Sequence, residues 1–257
     1  MCRIFWEFYF VILCGRITKI MKILGLQKQS LIEYPGKISA VIFLGGCNLR
    51  CSFCYVLHLV LPELIEKQKE IPQSKVFSFL RERKNFLDAV AVSGGEPTLN
   101  KDLPDFIEKI KKLGYLVELE TNGTNPKMLK FLIDKKLVDY VAMDIKHRLS
   151  DFKKYKEITG GVLTREMFEN IKKSVKILLS GKVNYEFRTT IMKEFHKKED
   201  ILEICKEISK AKIYYLQNYQ KNSTVSGKTF TPFEEKEIEE IVKEAKSFCN
   251  IHYRKYL

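Results

Sequence analysis

Residues 38–55, ISAVIFLGGCNLRCSFCY, carry a short apolar run straight into a glycine pair and three cysteines. A run that is apolar at nearly every position is buried on both faces, as strands of a parallel sheet are. The pattern recurs, and strands are expected at 38–44, 87–92, 115–120, 138–145, 183–191 and 212–218. Between them, segments 72–84, 102–113, 126–136, 164–180, 198–210 and 232–248 have apolar residues three and four apart, the period of an amphipathic helix. Parallel strands need long crossovers, so this alternation predicts an α/β fold with helices covering the sheet. The units are too few for a closed eight-stranded barrel. They leave two topologies, an open partial barrel and a doubly wound sheet.

Unusual residues gather at the strand ends. Cys47, Cys51 and Cys54 follow the first strand, and Ser93, Gly94, Gly95 and Glu96 follow the second. Glu120 ends the third, with Thr121, Asn122 and Gly123 behind it, and Asp144 and Lys146 end the fourth. Arg188 and Thr189 lie in the fifth strand and residues 218–220 end the sixth. Parallel α/β folds place their active sites at the carboxyl edge of the strands, so one shared pocket is expected there.

Composition narrows the class. The chain has 257 residues, 45% hydrophobic and 30% charged, which excludes disordered, collagenous and polytopic membrane proteins. The net charge of +13 is spread along the chain rather than gathered into a stripe, and names neither nucleic acid nor a membrane as partner. Of seven cysteines, Cys2, Cys14, Cys205 and Cys249 are scattered without the paired spacing of a disulfide framework. The run at 4–14, IFWEFYFVILC, is interrupted by Glu7 and falls short of a membrane span. Met21 opens a second plausible start, so residues 1–20 read as an N-terminal extension or a misassigned start. Residues 21–257 form a single expected domain, with a cytoplasmic location.

The cysteines form C-x3-C-x2-C. Three thiolates on one loop can hold three corners of a cubane iron–sulfur cluster, leaving the fourth iron open. A structural zinc site with His58, or three unliganded buried thiols, are the plainer alternatives. His147, His196 and His252 are isolated in the sequence and read as ordinary histidines.

With an aromatic, Phe53, before the last cysteine, the motif resembles the signature of the radical S-adenosylmethionine (radical SAM) superfamily. SGGEPTL at 93–99, ETNG at 120–123 and MDIK at 143–146 resemble its companion motifs. The resemblance implies a partial (β/α)6 TIM-like barrel, a 4Fe-4S cluster on Cys47, Cys51 and Cys54, and S-adenosylmethionine bound at the open iron. It implies that Gly94, Gly95 and Glu96 hold the methionine amino group, that Glu120 and Asn122 meet the ribose, and that Asp144 and Lys146 contact the methionine end. It also implies that Phe53 and Tyr55, which flank the last cysteine, lie on the cofactor side.

With SLIEYPGK at 30–37, KYKEITG at 154–160 and FRTT at 187–190, the chain is similar to activating proteins of anaerobic ribonucleoside-triphosphate reductase, in the glycyl-radical activase group. That likeness implies hydrogen abstraction from a glycine of the reductase, with a flavodoxin- or ferredoxin-type electron donor. After the third cysteine that group commonly continues with Asn-Pro, where this chain has Val56 and Leu57 after Tyr55. Pyruvate formate-lyase or a small deazapurine precursor are alternative targets. A zinc-stabilised nucleic-acid-binding protein is the alternative from another class.

Overall fold

The computed structural model describes residues 21–255, and the expected amino-terminal extension lies outside them. The chain runs β1 (Ile23–Ser30), β2 (Ser39–Leu44), α1 (Leu57–Val60), α2 (Pro62–Ile65), α3 (Gln73–Glu82) and β3 (Ala89–Gly94). A 3-10 turn (Pro97–Leu99) leads to α4 (Leu103–Lys112), β4 (Leu116–Thr121), α5 (Pro126–Asp134), β5 (Tyr140–Asp144), α6 (Phe152–Ile158) and α7 (Arg165–Leu179). β6 (Asn184–Ile191), α8 (Lys198–Glu207), β7 (Tyr214–Asn218), α9 (Glu235–Ala245) and β8 (Ile251–Arg254) complete it.

All eight strands form one sheet in the order of the sequence. β1 is antiparallel to β2, and each later neighbouring pair is parallel. A doubly wound sheet reverses its strand order at a switch point. This order never reverses, and one cavity is lined from both ends of the sheet, by Gln27 of β1 and Arg254 of β8. The sheet therefore curves into an open partial barrel, whose end strands β1 and β8 do not pair.

The six expected strands and six expected helices are all present. β1 and β8 are additions, and each lies at an edge of the sheet. The expectation of strands apolar on both faces holds only partly. Val117 and Leu119 of β4 point toward the helices and join a core with Phe106, Ile107, Leu132 and Ile171, all fully or nearly fully buried. Glu118 and Glu120, on the alternate face, point into the barrel. Asp144 of β5 and Glu186 and Arg188 of β6 add to the same inner face, which is thus polar and charged. Among the described residues no helix is long and apolar enough to cross a membrane.

The strand ends meet very closely where β2 and β3 finish. Gly94 has φ +126°, and a Cβ there would stand 2.2 Å from the Leu44 carbonyl oxygen. Gly94→Ala is expected to destabilise the fold by at least ~1–3 kcal/mol through backbone displacement and a strained φ, read as a lowered urea midpoint.

Candidate active site

The three cysteines sit on the loop that leaves β2, and that loop is anchored by backbone bonds on three sides. From the β3 side, Gly95 N–H donates to Leu44 O (2.9 Å) and Glu96 N–H to Gly46 O (2.8 Å). From the end of α6, the Thr159 carbonyl accepts from Arg50 N–H (3.2 Å) and the Ile158 carbonyl from Ser52 N–H (3.0 Å). From the loop after β7, Val225 N–H donates to Cys54 O (2.8 Å), and Ser226 Oγ to Ser52 O (2.8 Å). Gly160 permits the α6 contact, because a Cβ there would lie 2.1 Å from Arg50 O.

The thiols face one cavity together with the other strand ends. Burial pushes the Cys47 thiol up to about 11 and the Cys51 thiol up to about 12, and raises Cys54 as well. Free thiolates are thus disfavoured here until a cation binds them. Hydrogen-bond donors are nevertheless aimed at the sulfurs, as ligating thiolates require. Leu49 N–H donates to Cys47 Sγ (3.4 Å), and a backbone N–H from Val56 reaches Cys54. Lys146 lies near all three and favours their anionic form. This donor set fits a cluster held by three cysteines with a fourth position left open. Among the described residues no three His, Cys, Asp or Glu side chains converge as they would around a single metal ion, and His58 is exposed. Thiols that ligate three separate irons stand further apart than ligands of one zinc.

Glu96 stands behind the cavity wall rather than on it. It is fully buried and does not line the cavity. Its carboxylate accepts from Thr98 N–H (3.1 Å), the Thr98 hydroxyl, Thr121 Oγ1 (2.8 Å) and Asn122 N–H (2.6 Å). The side chain is spent on joining the β3 loop to the end of β4, whereas Gly94 and Gly95 do line the cavity. Asn122 lines it too, and its amide donates to Asn48 Oδ1 (3.1 Å) and approaches Cys47 Sγ (3.9 Å).

The remaining expected residues meet in a chain of charges across the inner face. Lys146 Nζ donates to Asp144 Oδ2 (2.7 Å), Arg188 Nε to Asp144 Oδ1 (3.2 Å) and Arg188 Nη1 to Glu120 Oε1 (2.8 Å). Ser93 Oγ donates to Glu120 Oε2. Burial alone would raise both carboxyls; Arg188 outweighs it at Glu120, and Lys146 with Arg188 at Asp144, so both stay below their usual range. The cation of Lys146 stands 5.4 Å from the centroid of the Phe53 ring, and Tyr55 reaches the cavity from an exposed position.

Several residues join the site without having been expected. Glu33, from the turn after β1, lines the cavity and hydrogen-bonds Glu120. Arg254 of β8 grips buried Glu186 through two bonds of 2.8 and 2.7 Å. Both stand on or beside the two strands that the periodicity missed. His147 and His196 are not isolated, since their rings stack 5.5 Å apart. His196 Nδ1 accepts from Met192 N–H (3.4 Å), which makes Nε2 the donor to the Lys146 carbonyl (3.0 Å). Burial holds this imidazole down to about 4, so it is neutral at ordinary pH. Thr189 faces away from the cavity and bonds the Ile145 carbonyl (2.6 Å).

The cavity has a volume of about 700 Å³, enough for a nucleoside-sized ligand and part of a second molecule. Comparison with known proteins agrees with this picture. Residues 41–208 match the model of the radical SAM superfamily. A Methanocaldococcus jannaschii protein provisionally named a glycyl-radical enzyme activating enzyme is 36% identical over 236 residues, covering 88% of this chain and 92% of that one. The 7-carboxy-7-deazaguanine synthase of Aquifex aeolicus is 29% identical over 179 residues, 62% of this chain and 75% of the relative. Among solved structures, Streptococcus suis SuiB bound to its precursor peptide aligns with a TM-score of 0.65 at 19% identity, over 84% of this chain and 48% of that one. Escherichia coli QueE aligns with a TM-score of 0.53 at 14% identity, over 92% and 94%. These two likenesses concern the fold alone.

Burial, and then the neighbouring Glu120 charge, push the Glu33 carboxyl up to about 7. The folded protein therefore holds this proton more tightly than the unfolded chain does, and stability falls as pH rises from the ordinary carboxylate range to about 7. Glu33→Gln is expected to flatten that decline. Urea midpoints of both proteins at mildly acidic and mildly alkaline pH check it, and parallel declines would contradict it.

Proposed function

Because the chain belongs to the radical SAM superfamily, we propose that it is a glycyl-radical enzyme activating enzyme with anaerobic ribonucleoside-triphosphate reductase as its protein substrate. It acts in the cytoplasm and takes electrons from a flavodoxin- or ferredoxin-type donor. The observation that carries the reading is the three-cysteine loop, braced from three sides and facing a cavity that the other strand ends share. The similarity to the provisionally named activating enzyme, spanning 92% of its length, supports the choice of target class.

Cys47, Cys51 and Cys54 would hold the 4Fe-4S cluster. When bound, the cluster supplies an open iron and one electron, which together permit reductive cleavage of S-adenosylmethionine to methionine and a 5′-deoxyadenosyl radical. The chain's own residues bind, orient and shield. Asp144 and Lys146, an anion and a cation 2.7 Å apart, complement the zwitterionic methionine end of the nucleoside. Backbone carbonyls beside Gly94 and Gly95 can accept from its ammonium, and Glu120 with Asn122 can bond the ribose hydroxyls. Phe53 offers a buried apolar face next to the last cysteine. Glu96 and His196 are positioning residues, the first holding the β3 and β4 loops together and the second fixing the Lys146 backbone.

A second reading, a small-molecule enzyme acting on a deazapurine precursor, is favoured by the 29% identity to 7-carboxy-7-deazaguanine synthase. Anaerobic incubation of the reduced, reconstituted protein with S-adenosylmethionine and the reductase should produce the paramagnetic doublet of a glycyl radical. Absence of that doublet, with turnover of a deazapurine precursor instead, would replace the first reading by the second.

Two variants test the residue assignments. Cys51→Ala should bind no stable cluster and form no 5′-deoxyadenosine while retaining the circular dichroism of the native fold. Lys146→Ala should keep its iron and weaken S-adenosylmethionine binding by roughly 10-fold or more, the worth of a lost charge-assisted bond. Loss of iron in the second variant would count against its role.

A further inference from the structure

The polarity of the barrel interior is lopsided in a way that cofactor binding does not use up. Five carboxyl groups, Glu33, Glu118, Glu120, Asp144 and Glu186, share it with three cations. Each cation is already engaged: Lys146 with Asp144, Arg188 with Glu120 and Asp144, and Arg254 with Glu186. Glu33 and Glu118 are left over. Among the described residues neither has a cation within ion-pair distance. Glu118 is fully buried and neither of its carboxyl oxygens has a hydrogen-bond partner. It stands two residues before Glu120 on β4, so both side chains project from the same face into the barrel.

The segment that brings Glu33 approaches the cavity from a different side than the cysteine loop. β1 is antiparallel to β2, with Ile23 opposite Leu44 and Ser30 opposite Ser39. The turn that carries Glu33 therefore lies at the amino-terminal edge of the parallel strands, opposite the cysteine loop that follows Leu44. Tyr34 confirms the placement, with its ring 5.5 Å from that of Tyr140, the first residue of β5. The strongest charged neighbours of Glu33 are Glu120, Arg188 and Arg254, those of the cysteines include Lys146, Asp144 and Glu96, and Tyr55 of the cysteine loop stands between the two groups, near Glu120, Glu33 and Cys54. The cofactor's own positive groups belong to the cysteine end.

We propose that the part of the cavity bounded by Glu33 and Glu120, with Glu118 beneath them, is a subsite for a cationic side chain, a guanidinium or ammonium carried by the polypeptide substrate. This rests on the activase reading and specifies what its substrate must present. A cation entering beside Glu33 would ionise it and share Glu120 with Arg188, which relieves the acid–acid contact between Glu33 and Glu120. Because the Glu33 carboxyl is partly protonated near neutral pH in the free protein, binding of the cation displaces a proton. Such a group on the substrate would also set the register in which the reacting residue stands in the cavity.

The test uses the full-length, cluster-loaded protein with S-adenosylmethionine and no reductant. Nine-residue peptides with a central glycine carry one arginine, moved in turn through the positions on either side, and each has a twin with neutral citrulline in its place. Calorimetry in two buffers of different ionisation heat reads affinity and proton release together. The proposal predicts that at least one arginine peptide binds about tenfold or more tightly than its twin, with net proton release just below neutral pH. In Glu33→Gln both the preference and the proton release should disappear, and Glu33→Asp should retain part of each. Equal binding of arginine and citrulline peptides at every position, binding of neither, or a preference that survives in Glu33→Gln would overturn the subsite. Formation of 5′-deoxyadenosine by the same preparation after reduction is read separately, so failure of the radical reading and failure of the subsite give different results.

Discussion

The cysteine loop is held in place by backbone hydrogen bonds, and the rest of the site depends on that. Three elements distant in sequence, the β3 loop, the end of α6 and the loop after β7, each meet the loop through main-chain groups. Main-chain anchors do not change rotamer, so the backbone that carries the thiols is positioned before any ligand arrives. The arrangement demands very close approach of peptide to peptide. Gly94, Gly95 and Gly160 stand where a Cβ would come within 2.2 Å of a neighbouring carbonyl oxygen. The glycines of the site are thus as much a packing requirement of the loop as a means of approaching a ligand.

Around that frame the barrel interior solves a different problem, the burial of charge. Arg188, 7% exposed, spans from Glu120 on β4 to Asp144 on β5, and with Lys146 at Asp144 it keeps both carboxylates ionised. Lys146, the next cation along, is held by Asp144 and lies close to the thiols. Losing one partner of such a network leaves a buried charge without compensation, which costs far more than the net worth of the pair. The network thus couples the cysteines to the strands that face Glu33 and Glu118, the two acids without a cation partner among the described residues.

Much of this was legible in the sequence because hydrophobic period and motif position are local signals. The apolar runs located six strands, and the residues placed at their ends do meet around one cavity, apart from Glu96, Gly123 and Thr189. The choice between an open barrel and a doubly wound sheet was not legible, because strand order is a long-range property. β1 escaped notice because ILGLQKQS lies half exposed at the sheet edge, and β8 because it has only four residues. Glu33 and Arg254 were missed for the same reason. Glu96 shows another limit: the sequence places an acid at the strand end but does not reveal that Thr98, Thr121 and Asn122 consume its carboxylate. His147 and His196 lie far apart in the chain, and only folding stacks them behind Lys146.

The central claim is that three braced cysteines leave one iron of a four-iron cluster free for a ligand. Mössbauer spectroscopy of protein reconstituted anaerobically with isotopically enriched iron tests it most directly, with spectra taken before and after addition of S-adenosylmethionine. The account predicts a cuboidal cluster on each chain in which one iron site, and no other, changes its parameters when S-adenosylmethionine is added. A spectrum unaltered by S-adenosylmethionine, or a protein that takes up one zinc in place of iron, would contradict it.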